Sequence, residues 1–138
     1  MVRFEVFDHT ADVGIIAYGE DLKEAFANAA YGMFSQIADL QEVKEDVKRD
    51  IIIQSSDQEA LLVDWLNELL YLLDVDHIIF SRFDITELSQ NSLQAKVYGE
   101  KIDTSRHQLK TSVKAATYHM LKVETKKSGA RVQFILDI

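Results

Sequence analysis

The sequence predicts an α+β fold, a two-layer domain with helices packed on a mainly antiparallel β-sheet. Three observations point there. Two long segments carry apolar residues at helical spacing behind capping residues. All but one of the remaining β-patterned segments follow one another in pairs through short polar turns, as hairpins do. No linker, internal repeat or low-complexity tract interrupts residues 1–138, which read as one domain. With 138 residues and 47% hydrophobic content, the chain is long enough to bury roughly two thirds of the surface its unfolded form exposes.

From Val2 to Phe7 the residues alternate, with Val2, Phe4 and Val6 on one face of a strand, and a second strand follows from Val13 to Tyr18 after the polar turn Asp8-His9-Thr10-Ala11-Asp12. Asp21 caps a helix whose Glu24 closes a capping box, and Leu22, Phe26, Ala29, Met33 and Ile37 form its apolar stripe. The β-branched run Ile51-Ile52-Ile53 places a strand over 49–54. Ser56 and Glu59 repeat the capping-box pattern ahead of a second helix with the stripe Leu62, Trp65, Leu66, Leu69 and Leu73. Its polar side, with Asp64, Asn67, Glu68 and Tyr71, reads as a solvated face. Two strands, 78–88 and 93–102, turn at Ser89-Gln90-Asn91-Ser92. Leu109, Val113, Ala116 and Met120 have helical spacing while Thr117 to Thr125 suits a strand, so 106–123 is expected to form a short helix followed by a strand. A last strand, 131–138, is expected to hairpin back through Lys127-Ser128-Gly129.

Composition narrows the chemistry. The chain has no cysteine, which removes disulfides, thiolate metal sites and cysteine nucleophiles and leaves oxygen atoms or the four histidines to hold any metal. Acidic residues outnumber basic ones 23 to 15, a net charge of −8, which disfavours tight direct binding of nucleic acid and favours a basic protein partner or a hard divalent cation. The N-terminal residues lack the basic-then-apolar layout of a signal peptide and no apolar run is long enough to span a bilayer, so a soluble, cytoplasmic protein without membrane attachment is expected.

Glycine-rich phosphate loops, helical His pairs and nucleophile elbows are absent from the sequence. Three polar clusters remain. In Asp8-His9-Thr10-Ala11-Asp12 the plain reading is a turn whose side chains bond the local backbone, and the functional one makes Asp12 a metal ligand or a catalytic carboxylate. At the end of the sequence, Asp137 and the oxygens of Ile138 form a set that suits Ca²⁺ or Mg²⁺ completed by water; otherwise Asp137 is an acidic residue on an exposed strand end. Lys114-Ala115-Ala116-Thr117-Tyr118-His119 brings together a cation, a hydroxyl, a phenol and an imidazole, which ordinary surface packing also accounts for.

Asp8-His9-Thr10-Ala11-Asp12, Trp65-Leu66-Asn67-Glu68-Leu69-Leu70-Tyr71, Lys114-Ala115-Ala116-Thr117-Tyr118-His119 and the ending Asp137-Ile138, taken together and in this order, resemble the archease family from the first strand to the last residue. The resemblance implies an accessory protein and not an enzyme. Its partner would be an RtcB-type RNA ligase, dependent on GTP and divalent metal, that joins tRNA halves in tRNA splicing; the accessory protein promotes ligase guanylylation and multiple turnover. It further implies that Asp12, Asp137 and Ile138 hold a divalent cation, usually calcium, with Mg²⁺ or Mn²⁺ as alternatives, and that His9, Lys114, Thr117 and His119 face the partner or support the ligands. Two other readings stand beside it. One is a metal-dependent hydrolase using Asp12 and Asp137 as ligands and His9 or His119 as base. The other is a chaperone-like modulator of tRNA-modifying enzymes such as methyltransferases.

Overall fold

The computed structural model describes residues 2–138. Seven strands and two long helices follow in the order β1 (Phe4–His9), β2 (Asp12–Gly19), α1 (Leu22–Ile37), β3 (Val47–Gln54), α2 (Gln58–Asp76), β4 (Ile78–Leu88), β5 (Ser92–Lys101), β6 (Ala115–Lys126) and β7 (Gly129–Asp137), with a single 3₁₀ turn at Leu40–Glu42 after α1. The α+β class holds and the strand pairs are antiparallel, but the strands divide into two sheets. One has the order β1-β2-β7-β6 and the other β3-β5-β4.

Both helices start as capping chemistry dictates. Asp21 accepts from the Glu24 N–H at 2.9 Å, and the Glu24 carboxylate accepts from the Glu20 N–H at 3.0 Å. For α2 the cap is Asp57, one residue later than expected, accepting from the Ala60 N–H at 2.8 Å. A carboxylate there also meets the partial positive charge of the helix start, which a serine hydroxyl cannot match. His77 closes α2 in the left-handed conformation (φ 57°), its N–H reaching the Leu73 carbonyl.

The helical stripes are buried as their spacing requires. Phe26, Ala29 and Met33 of α1 and Leu62, Trp65, Leu66 and Leu69 of α2 are wholly buried, in one continuous core with Ile15, Phe80 and Phe134 from the strands. α1 lies against β2 and β7 of one sheet and β4 of the other, while α2 lies against β6 and all three strands of the smaller sheet. The helices therefore join the two sheets. The Trp65 indole N–H donates to the Phe26 carbonyl at 3.0 Å, so the largest core side chain is also satisfied. Truncating a side chain of this kind to alanine costs about 3–5 kcal/mol.

The short helix expected after Arg106 does not form; the segment up to Lys114 is a turn and then extended chain, and β6 begins at Ala115. Its backbone donors are taken elsewhere. The N–H groups of Lys110 and Thr111 donate to the Ile37 and Gln36 carbonyls at the end of α1, and that of Lys114 to the Asp137 carbonyl. The first two bonds satisfy carbonyls that a helix terminus leaves free, which a second local helix could not do. Leu109 is consequently half exposed while Val113 is buried. Among the described residues no helix is long and apolar enough to cross a membrane.

Candidate functional site

At one end of the four-stranded sheet the register lines up the candidate residues. His9 pairs with Asp12 across the β1–β2 hairpin, Val13 pairs with Leu136, and Ala115 pairs with Asp137. One step past the Val13–Leu136 pair, Asp12 and Asp137 stand opposite one another on adjacent strands. Directly opposed residues share a sheet face, so His9, Asp12, Asp137 and Ala115 form a row across the sheet end. The turn within the hairpin is Thr10-Ala11, with Ala11 in the left-handed region at φ 66°.

On this outer face the Phe7 ring lies over Gly14, its cross-strand partner. A Cβ at Gly14 would come within 2.2 Å of the ring, so only glycine admits this cover. β6 covers the rest of the face by a large bulge. Between Thr117 and Lys122 it advances five residues while β7 advances two, from Ile135 to Gln133. The bulge is held by Gln133, whose Nε2 donates to the Met120 carbonyl at 3.0 Å, and by Thr117, whose hydroxyl donates to the Ile135 carbonyl at 3.0 Å and accepts from the His119 N–H at 3.3 Å. Met120 sits at φ 54° to make the bend.

The bulge carries His119 to His9, with ring centroids 5.0 Å apart and planes tilted by 59°. His9 Nδ1 lies 4.0 Å from an Asp12 carboxylate oxygen, beyond hydrogen-bond range. That nitrogen is buried and makes no hydrogen bond, the single such side-chain atom among the described residues. The other candidates lie close along the chain. Lys114 donates its backbone N–H to Asp137 at 2.7 Å and exposes its side chain, and Ile138 follows Asp137 with its side chain partly exposed. Thr117 shapes the bulge and leaves its hydroxyl already engaged.

Among the described residues no three Asp, Glu or His side chains converge on a ready-made metal cage. The donors that the register brings to facing positions of adjacent strands are Asp12 and Asp137, with main-chain oxygen beside them. Such a set fits a hard cation that keeps several waters, and the orphaned His9 nitrogen beside Asp12 shows local bonding that the protein alone does not complete.

One contributor escaped sequence reasoning in its real role. Asn67 of α2, assigned to a solvated helix face, bonds the edge of β6 twice: its Oδ1 accepts from the Ala116 N–H at 2.8 Å and its Nδ2 donates to the Ala116 carbonyl at 3.1 Å. Its signal was a lone amide among carboxylates on one helical face, the one side chain there that can accept through one terminal atom while donating through another. The principal clefts lie away from the row. One of about 460 Å³ is lined by Tyr18, Gly19 and Gly129 to Arg131, at the opposite end of β2 and β7.

Comparison with known proteins places the chain in a family. The model of the Archease protein family (MTH1598/TM1083) matches residues 4–138. The archease of Methanosarcina mazei is 40% identical over 140 residues, covering 99% of this chain and 96% of that protein; that of Sulfurisphaera tokodaii is 41% identical over 139 residues with both chains fully covered; and that of Saccharolobus islandicus is 46% identical over 140 residues, again with full coverage. The solution structure of protein 1598 of Methanobacterium thermoautotrophicum superposes with a TM-score of 0.82 at 38% identity over 99% of each chain. The crystal structure of a Thermotoga maritima archease, described as a possible chaperone, has the same fold with a TM-score of 0.65 at 18% identity, over 96% of this chain and 94% of that one. With a family match from the first strand to the last residue and relatives above 40% identity along their whole length, this chain belongs to the archease family.

Proposed function

We propose that this protein is an accessory activator of an RtcB-type tRNA-splicing ligase, promoting ligase guanylylation and multiple turnover without catalysing the reaction, and that its sheet end holds a divalent cation. The observation that carries the reading is the cross-strand row: in a member of this family, Asp12 and Asp137 stand on adjacent strands, with His9 and His119 beside them, at an exposed end of the sheet. Asp12, Asp137 and the Ile138 carbonyl would hold the cation, calcium by preference with Mg²⁺ or Mn²⁺ as alternatives, and a bound cation there would supply fixed positive charge to an otherwise acidic surface.

This chain's own residues do the rest. The net charge of −8 attracts a basic partner surface and repels free RNA. Asn67 and Thr117 fix the course of β6, which carries His119 against His9 and leads in through Lys114, whose N–H bonds the Asp137 carbonyl. An exposed row suits docking to a macromolecule better than enclosing a small substrate, which favours the accessory reading over a hydrolase.

The test is ligated RNA per ligase molecule over time, with RNA ends bearing 2′,3′-cyclic phosphate and 5′-hydroxyl, excess GTP and metal, and this protein added below the ligase concentration. Product should rise well past one equivalent per ligase. A yield held at one equivalent or less, with and without the protein, would sink the proposal for that ligase.

A further inference from the structure

β3 is an edge strand: among the described residues it pairs with β5 alone. The phase of its free edge can be read from one bond. Ser55 continues the β3–β5 register opposite Asn91, and its N–H donates to the Asn91 carbonyl at 2.9 Å. Bonding alternates along an antiparallel pair, so Ile53 and Ile51 also bond inward, while Gln54, Ile52 and Asp50 direct their N–H and C=O groups outward. Strand edges of this kind are normally blunted by charge, as Lys48, Arg49 and Asp50 do for the first half of β3. The second half is left apolar, and Ile52 is 70% exposed, the highest value of any large apolar side chain among the described residues.

Alongside this half runs a cleft of about 500 Å³ between β3 and α2, whose lining includes Ile52, Gln54, Asp64, Asn67, Glu68 and Tyr71. The only charges on its helical wall are negative, those of Asp64 and Glu68, and α2 also carries Glu59, Asp74 and Asp76 and neither lysine nor arginine. Tyr118 flanks the same wall, and burial followed by the charges of Asp64 and Asp57 pushes its phenol above the usual range. Tyr71 adds a ring 58% exposed.

We infer that the β3–α2 cleft is a second docking surface, separate from the Asp12–Asp137 row, which takes an extended basic segment of a protein partner as an added strand on β3. Main-chain bonds to Ile52 and Gln54 would hold the segment. Side chains alternate along a strand, so one set, Lys or Arg, faces Asp64 and Glu68, while the other, apolar, covers Ile52. Charge complementarity selects this occupant over a second copy of the chain, whose own α2 would bring a second acidic wall to the interface.

The experiment uses the full ¹⁵N-labelled protein and an acetylated, amidated Lys-Val octapeptide of alternating sequence as probe. Two control peptides accompany it: the same composition in block order, and glutamate in place of lysine. Saturable amide shifts are expected at Asp50, Ile52, Gln54 and from Asp64 to Tyr71, with slowed exchange of the Ile52 and Gln54 amides and weaker effects from both controls. Ile52→Pro should abolish the shifts. Because that change strains the strand, Glu68→Lys serves as the second variant and should weaken binding by at least about 5-fold. Asp12→Asn should bind the probe like the parent protein, so failure here is distinct from failure of the sheet-end reading. Equal binding of the block peptide, shifts confined to the Asp12–Asp137 end, no shifts at millimolar peptide, or a protein dimer dispersed by Glu68→Lys would each overturn the inference.

Discussion

Asn67 holds Ala116 by both ends of its amide, accepting at 2.8 Å and donating at 3.1 Å, and so behaves as one residue of a neighbouring strand. Ala116 is buried and lies one residue from Ala115, the cross-strand partner of Asp137. Replacing Asn67 with alanine leaves a buried N–H and a buried C=O unpaired, at a cost of about 2–4 kcal/mol for the two. The expected result is a lower urea midpoint with an unchanged slope, together with weaker function at the sheet end as β6 loosens. A midpoint equal to the parent's would show that water replaces the amide at no cost.

Ala11 offers the opposite outcome. Its φ of 66° lies in the left-handed region, which costs an L-residue about 1–2 kcal/mol, part of which glycine returns through greater unfolded-state freedom. Ala11→Gly should therefore stabilise the protein by about 0.5 kcal/mol and leave the His9–Asp12 pairing in place. Thermal unfolding checks this; destabilisation would mean that the methyl group has a contact role in the turn.

What was legible in the sequence was whatever is written locally. The stripes Phe26-Ala29-Met33 and Leu62-Trp65-Leu69 and the Ser89–Ser92 turn depend on neighbours within a few positions, and the structure has them where the spacing places them. The segment from Arg106 to Lys114 was not legible because its state is decided by Gln36, Ile37 and Asp137, which lie far from it along the chain. The bulge at Thr117–Lys122 has the same character: residue by residue it reads as strand, and its bonds to Gln133 and Ile135 of β7 hold the bend. The candidate site divides similarly. The Asp8–Asp12 turn marked one half, but its alignment with Asp137 is a property of the β2–β7 register, and the second role of α2 rests on Asn67 meeting a strand 49 positions away.

Glu100 makes the fold sensitive to acid. Burial alone pushes its carboxyl up, but bonds from the Lys44 N–H, from His107 and from Arg106 together outweigh burial and hold it below the usual carboxylate range. The Asp103 N–H donates to His107 Nδ1 at 3.0 Å, which leaves His107 Nε2 as the donor to Glu100. A carboxyl depressed in the folded state adds stability that is fully present above its unfolded value of about 4.3 and is lost as pH falls through the folded one. Stability should accordingly be flat in Glu100's contribution above about pH 5 and decline below it. Glu100→Gln should cost about 2 kcal/mol at neutral pH and flatten that decline. An unchanged acid limb in the variant would assign the sensitivity to other carboxylates.

The sheet end yields the prediction that bears most directly on function. Asp12 and Asp137 contribute charge at a partly exposed row and no apolar packing, so Asp12→Asn and Asp137→Asn should leave the unfolding free energy within about 0.5 kcal/mol of the parent. Divalent-ion affinity should respond quite differently. Residues that merely orient metal ligands already change affinity about 10–100-fold when lost, so removal of either carboxylate should weaken Ca²⁺ binding by at least about 10-fold in a calorimetric titration. His9→Gln separates the two nitrogen roles left open by the unpaired Nδ1. If the imidazole joins the cation, the variant loses affinity as the carboxylate variants do; if it only packs against His119, affinity stays and the His119 ring resonances shift. Unchanged Ca²⁺ affinity in both asparagine variants would remove the row from any ligand set.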